Sequence, residues 1–320
     1  MANKIKNILV SGSLAFDRIM DFPGKFSDHI LPDKIHNLNV AFNINELREN
    51  FGGCAGNIAY NLALLNERPF ILATAGTDFG SYKKWLKKKK VDISQVKEIK
   101  EKHTASAYII TDKADNQITG FNMGAMNVAR GKEVFKGFSA KALKNSLAIV
   151  SPGNIDDMRE YGGYYKKANI RYIFDPGQAI PALKSEVIKR AAEAAEILIG
   201  NDYEVEMIKK KTGWTSKQLI DKVRTLIITK GELGSEIFIK GRRIKVRPVK
   251  AKELKDPTGA GDAYRAGLLK GLASGWDMEK SAKLASVVAS YAVEKYGTQN
   301  HAFTWKSVAG KFLQAYNEKL

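Results

Sequence analysis

Short apolar runs alternate with amphipathic stretches along most of this chain, and this alternation limits the folds available to it. Each run has only three or four residues, as expected for strands that are buried on both faces of a sheet. The stretches between them carry apolar residues at helical spacing. We therefore predict an α/β fold of three layers, α/β/α, around a mostly parallel central sheet. The predicted strands are residues 8–10, 70–73, 147–150, 172–174, 197–199 and 226–228.

Two segments break this alternation and are predicted to form a small β-sheet lid. They lie at about residues 14–50 and 104–126, and the second contains extended runs at 107–110 and 118–121 that suggest a hairpin. No linker or repeat divides the chain, so we expect residues 1–320 to form a single domain into which the lid is inserted.

The composition excludes several classes of protein. Of the 320 residues, 44% are apolar and 27% are charged, which is enough to build a core and excludes a disordered chain. The single cysteine, Cys54, excludes an internal disulfide, so we expect a reducing compartment and a cytoplasmic protein. No apolar run approaches the roughly 18 residues that span a bilayer.

The chain is strongly basic, with 52 Lys and Arg against 34 Asp and Glu and a net charge of +18. Such a balance is found in proteins that bind nucleic acids, membrane surfaces or anionic substrates. The densest run has six lysines at residues 83–90 around Trp85 and Leu86, and we interpret it as the solvated face of a helix. Most other basic residues are dispersed.

Small and polar residues follow the predicted strands, notably at 151–153, 175–177, 200–202 and 229–231. In open α/β sheets the ligand crevice lies at the carboxyl ends of the strands, where glycine lets the backbone approach a ligand. Ordinary turn chemistry explains part of the same pattern. We expect the functional site at this edge of the sheet.

Residues 256–267 are the most informative segment. Gly259, Gly261 and Asp262 open a predicted helix whose small residues allow close packing. A helix N-terminus presents unpaired N–H groups and a positive dipole end, which suit a phosphate. A carboxylate there can accept a proton from an attacking hydroxyl. The alternative is an aspartate that only caps the helix.

Other common nucleotide-binding and zinc-binding motifs do not occur in the sequence. No G-x-x-x-x-G-K-[ST] or complete G-x-G-x-x-G is present. The four histidines lack zinc-ligand spacing and cysteine partners, so any metal should be Mg²⁺ that arrives with nucleotide phosphates.

Several blocks, in order along nearly the whole chain, resemble the motifs of the ribokinase/PfkB family of carbohydrate and nucleoside kinases. They are the glycine-pair motif (residues 52–59), a further block (residues 75–80), the N-x-x-E element (Asn201 with Glu204), the nucleotide loop (Thr229 to Gly231 with Gly234) and the carboxy-terminal signature (residues 256–262).

The resemblance implies a ribokinase-like domain that uses ATP and Mg²⁺ to phosphorylate a primary hydroxyl. It does not settle whether a monovalent cation is also a cofactor. Asp262 would be the catalytic base, and the amides of Gly259, Ala260 and Gly261 would form an anion hole. Glu204 would act on Mg²⁺ indirectly. The implied substrate ligands are Asp17, Gly52, Gly53 and Asn57, and the implied ATP ligands are Asn201, Thr229, Lys230, Gly231, Gly234, Gly259 and Gly261.

The lid and the segments at 175–178 and 296–301 resemble the prokaryotic nucleoside-kinase branch, which includes adenosine kinases. A nucleobase needs an apolar surface and an amide, which Phe121, Met126 and Gln178 could supply, although each could equally pack the lid. We expect phosphorylation of the 5′-hydroxyl of a ribonucleoside, with an adenosine-like purine favoured. The alternatives are a ribose or fructose kinase of the same family and a non-enzymatic nucleic-acid-binding protein. We expect no nucleic-acid or membrane partner and either a monomer or a homodimer.

Overall fold

The computed structural model describes residues 5–114 and 116–320, and the six apolar runs predicted as strands all form strands. The strands are β1 (Asn7–Ser11), β2 (Ala15–Asp21), β3 (Glu46–Gly52), β4 (Phe70–Leu72), β5 (Thr74–Ala75), β6 (Lys97–Glu98), β7 (Ala105–Thr111), β8 (Gln117–Asn122), β9 (Ser146–Val150), β10 (Arg171–Phe174), β11 (Ile197–Asn201), β12 (Thr225–Thr229), β13 (Ser235–Ile239) and β14 (Arg242–Val246).

The central sheet has eight strands in the order β14-β13-β12-β11-β10-β9-β1-β4. The six strands from β12 to β4 are parallel to their neighbours, whereas β13 and β14 form an antiparallel edge. The predicted mostly parallel sheet is confirmed.

Helices cover both faces of this sheet. Successive side chains of a strand point to opposite faces, so Ile8 and Val10 lie in one core cluster and Leu9 in the other. The helices are α1 (Cys54–Leu64), α2 (Gly80–Lys88), α3 (Ala140–Lys144), α4 (Ile155–Lys167), α5 (Ser185–Ala194), α6 (Asp202–Thr212), α7 (Ser216–Lys222), α8 (Ala260–Ala273), α9 (Met278–Ala292) and α10 (Trp305–Tyr316). The first cluster contains apolar residues of α1, α2, α8, α9 and α10, and the second contains those of α3 to α7.

A separate four-stranded sheet, β3-β2-β7-β8, forms from the two segments that break the alternation. The hairpin expected in the second segment is present as β7 and β8. The two segments join because β2 pairs with β7 in parallel, from Ala15 opposite Ala105 to Asp21 opposite Thr111. Every residue of β8 is exposed, so one edge of this sheet is open to solvent.

The lysine-rich run lies on α2 and the turn after it, and its interpretation as a solvated helix face is confirmed. Tyr82 and Leu86 are buried, whereas Lys84, Lys87 and Lys88 are exposed. Within the described ranges, no helix combines the length and the apolar character that crossing a membrane requires.

Candidate active site

A cleft of about 1230 Å³ lies at the carboxyl ends of the central strands and reaches the small sheet. Its size is sufficient for two small ligands side by side. Fourteen of the site residues predicted from the sequence line it: Asp17, Gly53, Asn57, Phe121, Gln178, Asn201, Glu204, Thr229, Gly231, Gly234, Gly259, Ala260, Gly261 and Asp262.

Three predicted site residues do not line this cleft. Met126 faces a separate cavity of about 10 Å³ between β1 and the start of α4, so this arrangement does not support its contact with a nucleobase. Lys230 forms an ion pair with Glu236, with 3.0 Å between Nζ and Oε1. Gly52 lies behind Asp17, where an added Cβ would come within 2.4 Å of the Asp17 carboxylate.

The N-terminus of α8 opens into the cleft. Gly259 has φ +81° and ψ −4°, a left-handed conformation that glycine adopts without strain. In the described part of the chain, the N–H groups of Gly259, Gly261 and Asp262 have no hydrogen-bond partner, whereas that of Ala260 donates to Pro257 O at 3.2 Å. These free donors and the helix dipole form a site suited to an anion.

The carboxyl group of Asp262 lies beside these free N–H groups. Asn57 Nδ2 donates to Asp262 Oδ2 at 2.8 Å. Burial is the main cause that raises the pKa of Asp262 to about 7; Arg265 and the Asn57 bond oppose this, and Asp175 and Asp17 add to it. A carboxyl group with a pKa near neutrality can both take up and release a proton at physiological pH.

A buried ion pair supports the floor of the cleft. Arg265 lies one turn after Asp262 on α8 and contacts Asp175 at the end of β10, with 2.6 Å between Nη2 and Oδ1 and a second contact from Nε to Oδ2. Both side chains are less than 10% exposed. Burial raises the pKa of Asp175 although Arg265 opposes the shift. The hydrogen bond from Nη2 and the ion-pair contact of Nε together hold the guanidinium group against Asp175.

Asn201 and Glu204 form a reciprocal cap at the start of α6. Asn201 Oδ1 accepts from Glu204 N at 2.7 Å, and Glu204 Oε2 accepts from Asn201 N at 2.8 Å. Glu204 Oε2 also lies 3.9 Å from Arg265 Nη2. The cap therefore holds the Glu204 carboxylate at the rim of the cleft, close to α8.

Asp17 lies at the end of the cleft that faces the small sheet. It is on β2, opposite Asn50 of β3. Burial is the main cause that raises its pKa to about 6, and the charge of Asp256 adds to the shift. Phe121 of β8, which is 51% exposed, and Gln178, whose Nε2 lies 3.4 Å from Cys54 Sγ, line the same end.

The opposite end of the cleft is formed by the loop after β12 and the segment 248–254. Gly234 has φ +83°, and an added Cβ would come within 2.2 Å of Val246 O, so no other residue fits without a shift of the backbone. Gly231 and Gly234 carry no side chain, which lets a ligand approach the backbone of this loop closely.

Among the described residues, no group of three or more His, Cys, Asp or Glu side chains is arranged to hold a metal ion. Glu204 Oε1 has no hydrogen-bond partner in the described ranges and remains available as an oxygen ligand. Mg²⁺ commonly binds through one carboxylate together with waters and phosphates, so this donor set fits an ion that arrives with a nucleotide.

Sequence reasoning missed Arg265, Gln299 and Tyr82 at this site. Arg265 is a charged residue on an otherwise small and apolar stretch of α8, and it lies three residues after Asp262; that pattern was the available signal. Gln299 lies in the segment 296–301 that resembles the nucleoside-kinase branch, but no local pattern indicated its contacts or those of Tyr82, because their partners are distant in the sequence.

The profile of the pfkB family carbohydrate kinases matches residues 20–305. The chain belongs to this family. A protein named nucleoside kinase from Methanocaldococcus jannaschii is 31% identical over 312 residues, which are 96% of this chain and 97% of the relative. As a pfkB family kinase, the protein is a phosphotransferase with an alcohol group as acceptor, and its ribokinase-like fold agrees with the resemblance noted in the sequence.

Solved structures of this family match almost the entire chain. The nucleoside kinase of Burkholderia thailandensis in complex with inosine has a TM-score of 0.84 and 34% identity, and the match covers 98% of this chain and 99% of that one. The same kinase in complex with ADP-inosine has a TM-score of 0.81 and 35% identity, with 98% and 97% covered.

Proposed function

We propose that this kinase transfers the γ-phosphoryl group of ATP, bound with Mg²⁺, to the 5′-hydroxyl of a purine ribonucleoside. The observation that carries the proposal is the position of Asp262, whose carboxyl group lies beside free N–H groups at the start of α8 and faces the large cleft. The similarity over nearly the whole chain to a nucleoside kinase solved with inosine supports a nucleoside as the acceptor.

In the proposed reaction the acceptor hydroxyl oxygen attacks the γ-phosphorus and its proton passes to Asp262. The bond from the γ-phosphorus to the bridging oxygen breaks, and ADP leaves. Free N–H groups of Gly259 and Gly261 would bind the oxygens of the transferring group, since phosphoryl transfer depends mainly on positioning and on stabilising charge. A base whose pKa is about 7 matches this task at neutral pH.

The acceptor would bind at the end of the cleft near the small sheet. A carboxylate accepts two O–H groups, and Asn57 Nδ2 carries a second N–H besides the one donated to Asp262, so Asp17 and Asn57 suit the two ribose hydroxyls. Phe121 offers an aromatic face and Gln178 an amide for the base. A nucleobase that covers Phe121 would explain why this aromatic ring is otherwise exposed.

ATP would occupy the opposite end, against Asn201, Thr229, Gly231 and Gly234. Glu204 would hold Mg²⁺ directly or through water by its free oxygen, and the ion would neutralise charge on the phosphates. Lys230 already pairs with Glu236, so any role with ATP would require that its side chain move.

The test is ADP release from ATP and Mg²⁺ with adenosine, inosine, guanosine, cytidine, ribose and fructose as acceptors. We expect turnover with the purine nucleosides and little with the free sugars. The variant Asp262→Asn is the control for a contaminating kinase. Turnover with ribose or fructose alone would keep the family and contradict the nucleoside proposal.

A further inference from the structure

A chain of buried polar side chains runs behind Asp262, away from the cleft. Asp262 Oδ2 accepts from Asn57 Nδ2 at 2.8 Å, and Asn57 Oδ1 in turn accepts from Gln299 Nε2 at 3.1 Å. Asn57 is 4% exposed and Gln299 is 2% exposed. Hydrogen bonds in such surroundings are strong, and leaving one of these groups unpaired would be costly.

At the far end of this series of hydrogen bonds, Trp85 and Tyr82 fix which atoms of Gln299 donate and which accept. The indole N–H of Trp85 can only donate, and it donates to Gln299 Oε1 at 3.1 Å. The Tyr82 hydroxyl donates to the Gly52 carbonyl at 2.9 Å, so it accepts from Gln299 Nε2 at 2.6 Å. Turning the Gln299 amide around would place N–H against N–H at Trp85, and its nitrogen therefore faces Asn57.

We propose that Gln299 is a positioning residue, which acts through Asn57 so that an N–H, and not a carbonyl oxygen, faces the carboxyl group of Asp262. The two ends of the Asn57 amide have nearly the same shape, and a protonated Asp262 can pair with either end, so shape does not fix the direction of the amide. Gln299 supplies the direction by donating to Asn57 Oδ1. This inference rests on the proposed function, in which Asp262 is the base.

The donated N–H favours the ionised form of Asp262, which is the form that accepts a proton. The charged groups around Asp262 act separately: Arg265 favours ionisation, and Asp175 and Asp17 oppose it. The thiol of Cys54 and the hydroxyl of Tyr82 also face this carboxyl group, and burial raises the pKa of both, so they remain neutral. An uncharged change at Gln299 alters the hydrogen bond and leaves these charges in place.

The experiment is the pH dependence of kcat/KM for Gln299→Met and Gln299→Glu against the unmodified enzyme. Methionine cannot donate, so the Asn57 amide loses its direction. A glutamate carboxylate accepts only, so the Asn57 N–H turns toward it and the carbonyl oxygen turns toward Asp262. We expect the acid limb to move upward, by about one pH unit for Gln299→Glu, which lowers kcat/KM about tenfold below the pKa.

The controls separate this effect from charge and from packing. Gln299→Met adds no charge, so a shift in that variant reports the hydrogen bond alone. Gln314→Met, at an exposed position of α10, should leave the profile unchanged. Carboxyl-carbon NMR titration, with the Asp262 signal assigned by Asp262→Asn, gives the same pKa in a folded variant that does not turn over. If a Gln299 variant does not fold, Trp85→Phe is measured in its place, because it removes the N–H that donates to Gln299 Oε1.

An unchanged acid limb together with a lower melting temperature would overturn the proposal, since Gln299 would then contribute only to packing. An unchanged Asp262 titration in the NMR experiment would overturn it equally. Failure of the proposed function appears differently: the unmodified enzyme would not phosphorylate a nucleoside, or Asp262→Asn would retain full activity.

Discussion

Replacing Asp262 by asparagine should stabilise the fold at alkaline pH while removing the proposed catalytic base. Burial raises the pKa of Asp262 from 3.8 to about 7, so the folded protein holds its proton over a range where the unfolded chain has already lost it. The free energy of unfolding therefore falls as the pH rises from about 4 to about 7, and it levels off above that range. Asparagine has a similar shape and does not ionise, so it does not lose stability as the pH rises.

The magnitude follows from the shift. About three pKa units at 1.36 kcal/mol per unit correspond to an upper value of about 4 kcal/mol at pH 8, of which about 1.5 kcal/mol is already present at pH 5. We therefore expect Asp262→Asn to exceed the unmodified protein in free energy of unfolding, and the excess to grow by about 2.5 kcal/mol between these two pH values.

Urea unfolding at pH 5 and pH 8 measures this difference directly. The matched control is Asp33→Asn, which removes an exposed carboxylate outside the cleft. A loss of stability in Asp262→Asn that is the same at both pH values would refute the reasoning, since the ionised carboxylate would then carry no net cost.

Three further predictions follow from the site. Asp175→Asn leaves Arg265 buried without its carboxylate, so the free energy of unfolding should fall by about 3 to 5 kcal/mol, measured by urea unfolding. Phe121→Ala should raise KM for nucleosides by up to about tenfold and leave any activity on ribose unchanged in steady-state kinetics, because only the base would contact this ring. Removal of Mg²⁺ by EDTA should abolish turnover, and added Mg²⁺ should restore it without refolding.

Local patterns in the sequence predicted much of the central sheet and the helix that carries Asp262. Short continuous apolar runs bounded by turn residues predicted the buried strands, and the glycines at 259 and 261 predicted the start of α8. The parallel pairing of β2 with β7 was not predicted, because its partners lie about ninety residues apart and no local periodicity encodes that contact.

The same limit applies to the site. Asn57 and Gln299 are 242 residues apart, and the pairing of Asp175 with Arg265 joins residues 90 apart. Met126 lies on the short 3-10 helix Gly124–Asn127 after β8, which places it against a different cavity from Phe121. A thioether near an aromatic residue in the sequence did not reveal that difference.

The most direct test of the proposed role of Asp262 as the base is a single-turnover experiment with γ-labelled ATP, Mg²⁺ and inosine at pH 8. It compares the unmodified enzyme with folded Asp262→Asn. We predict labelled inosine 5′-monophosphate from the unmodified enzyme and transfer slower by about 10² to 10⁴ in the variant. Equal rates of transfer in the two proteins would show that Asp262 is not the base.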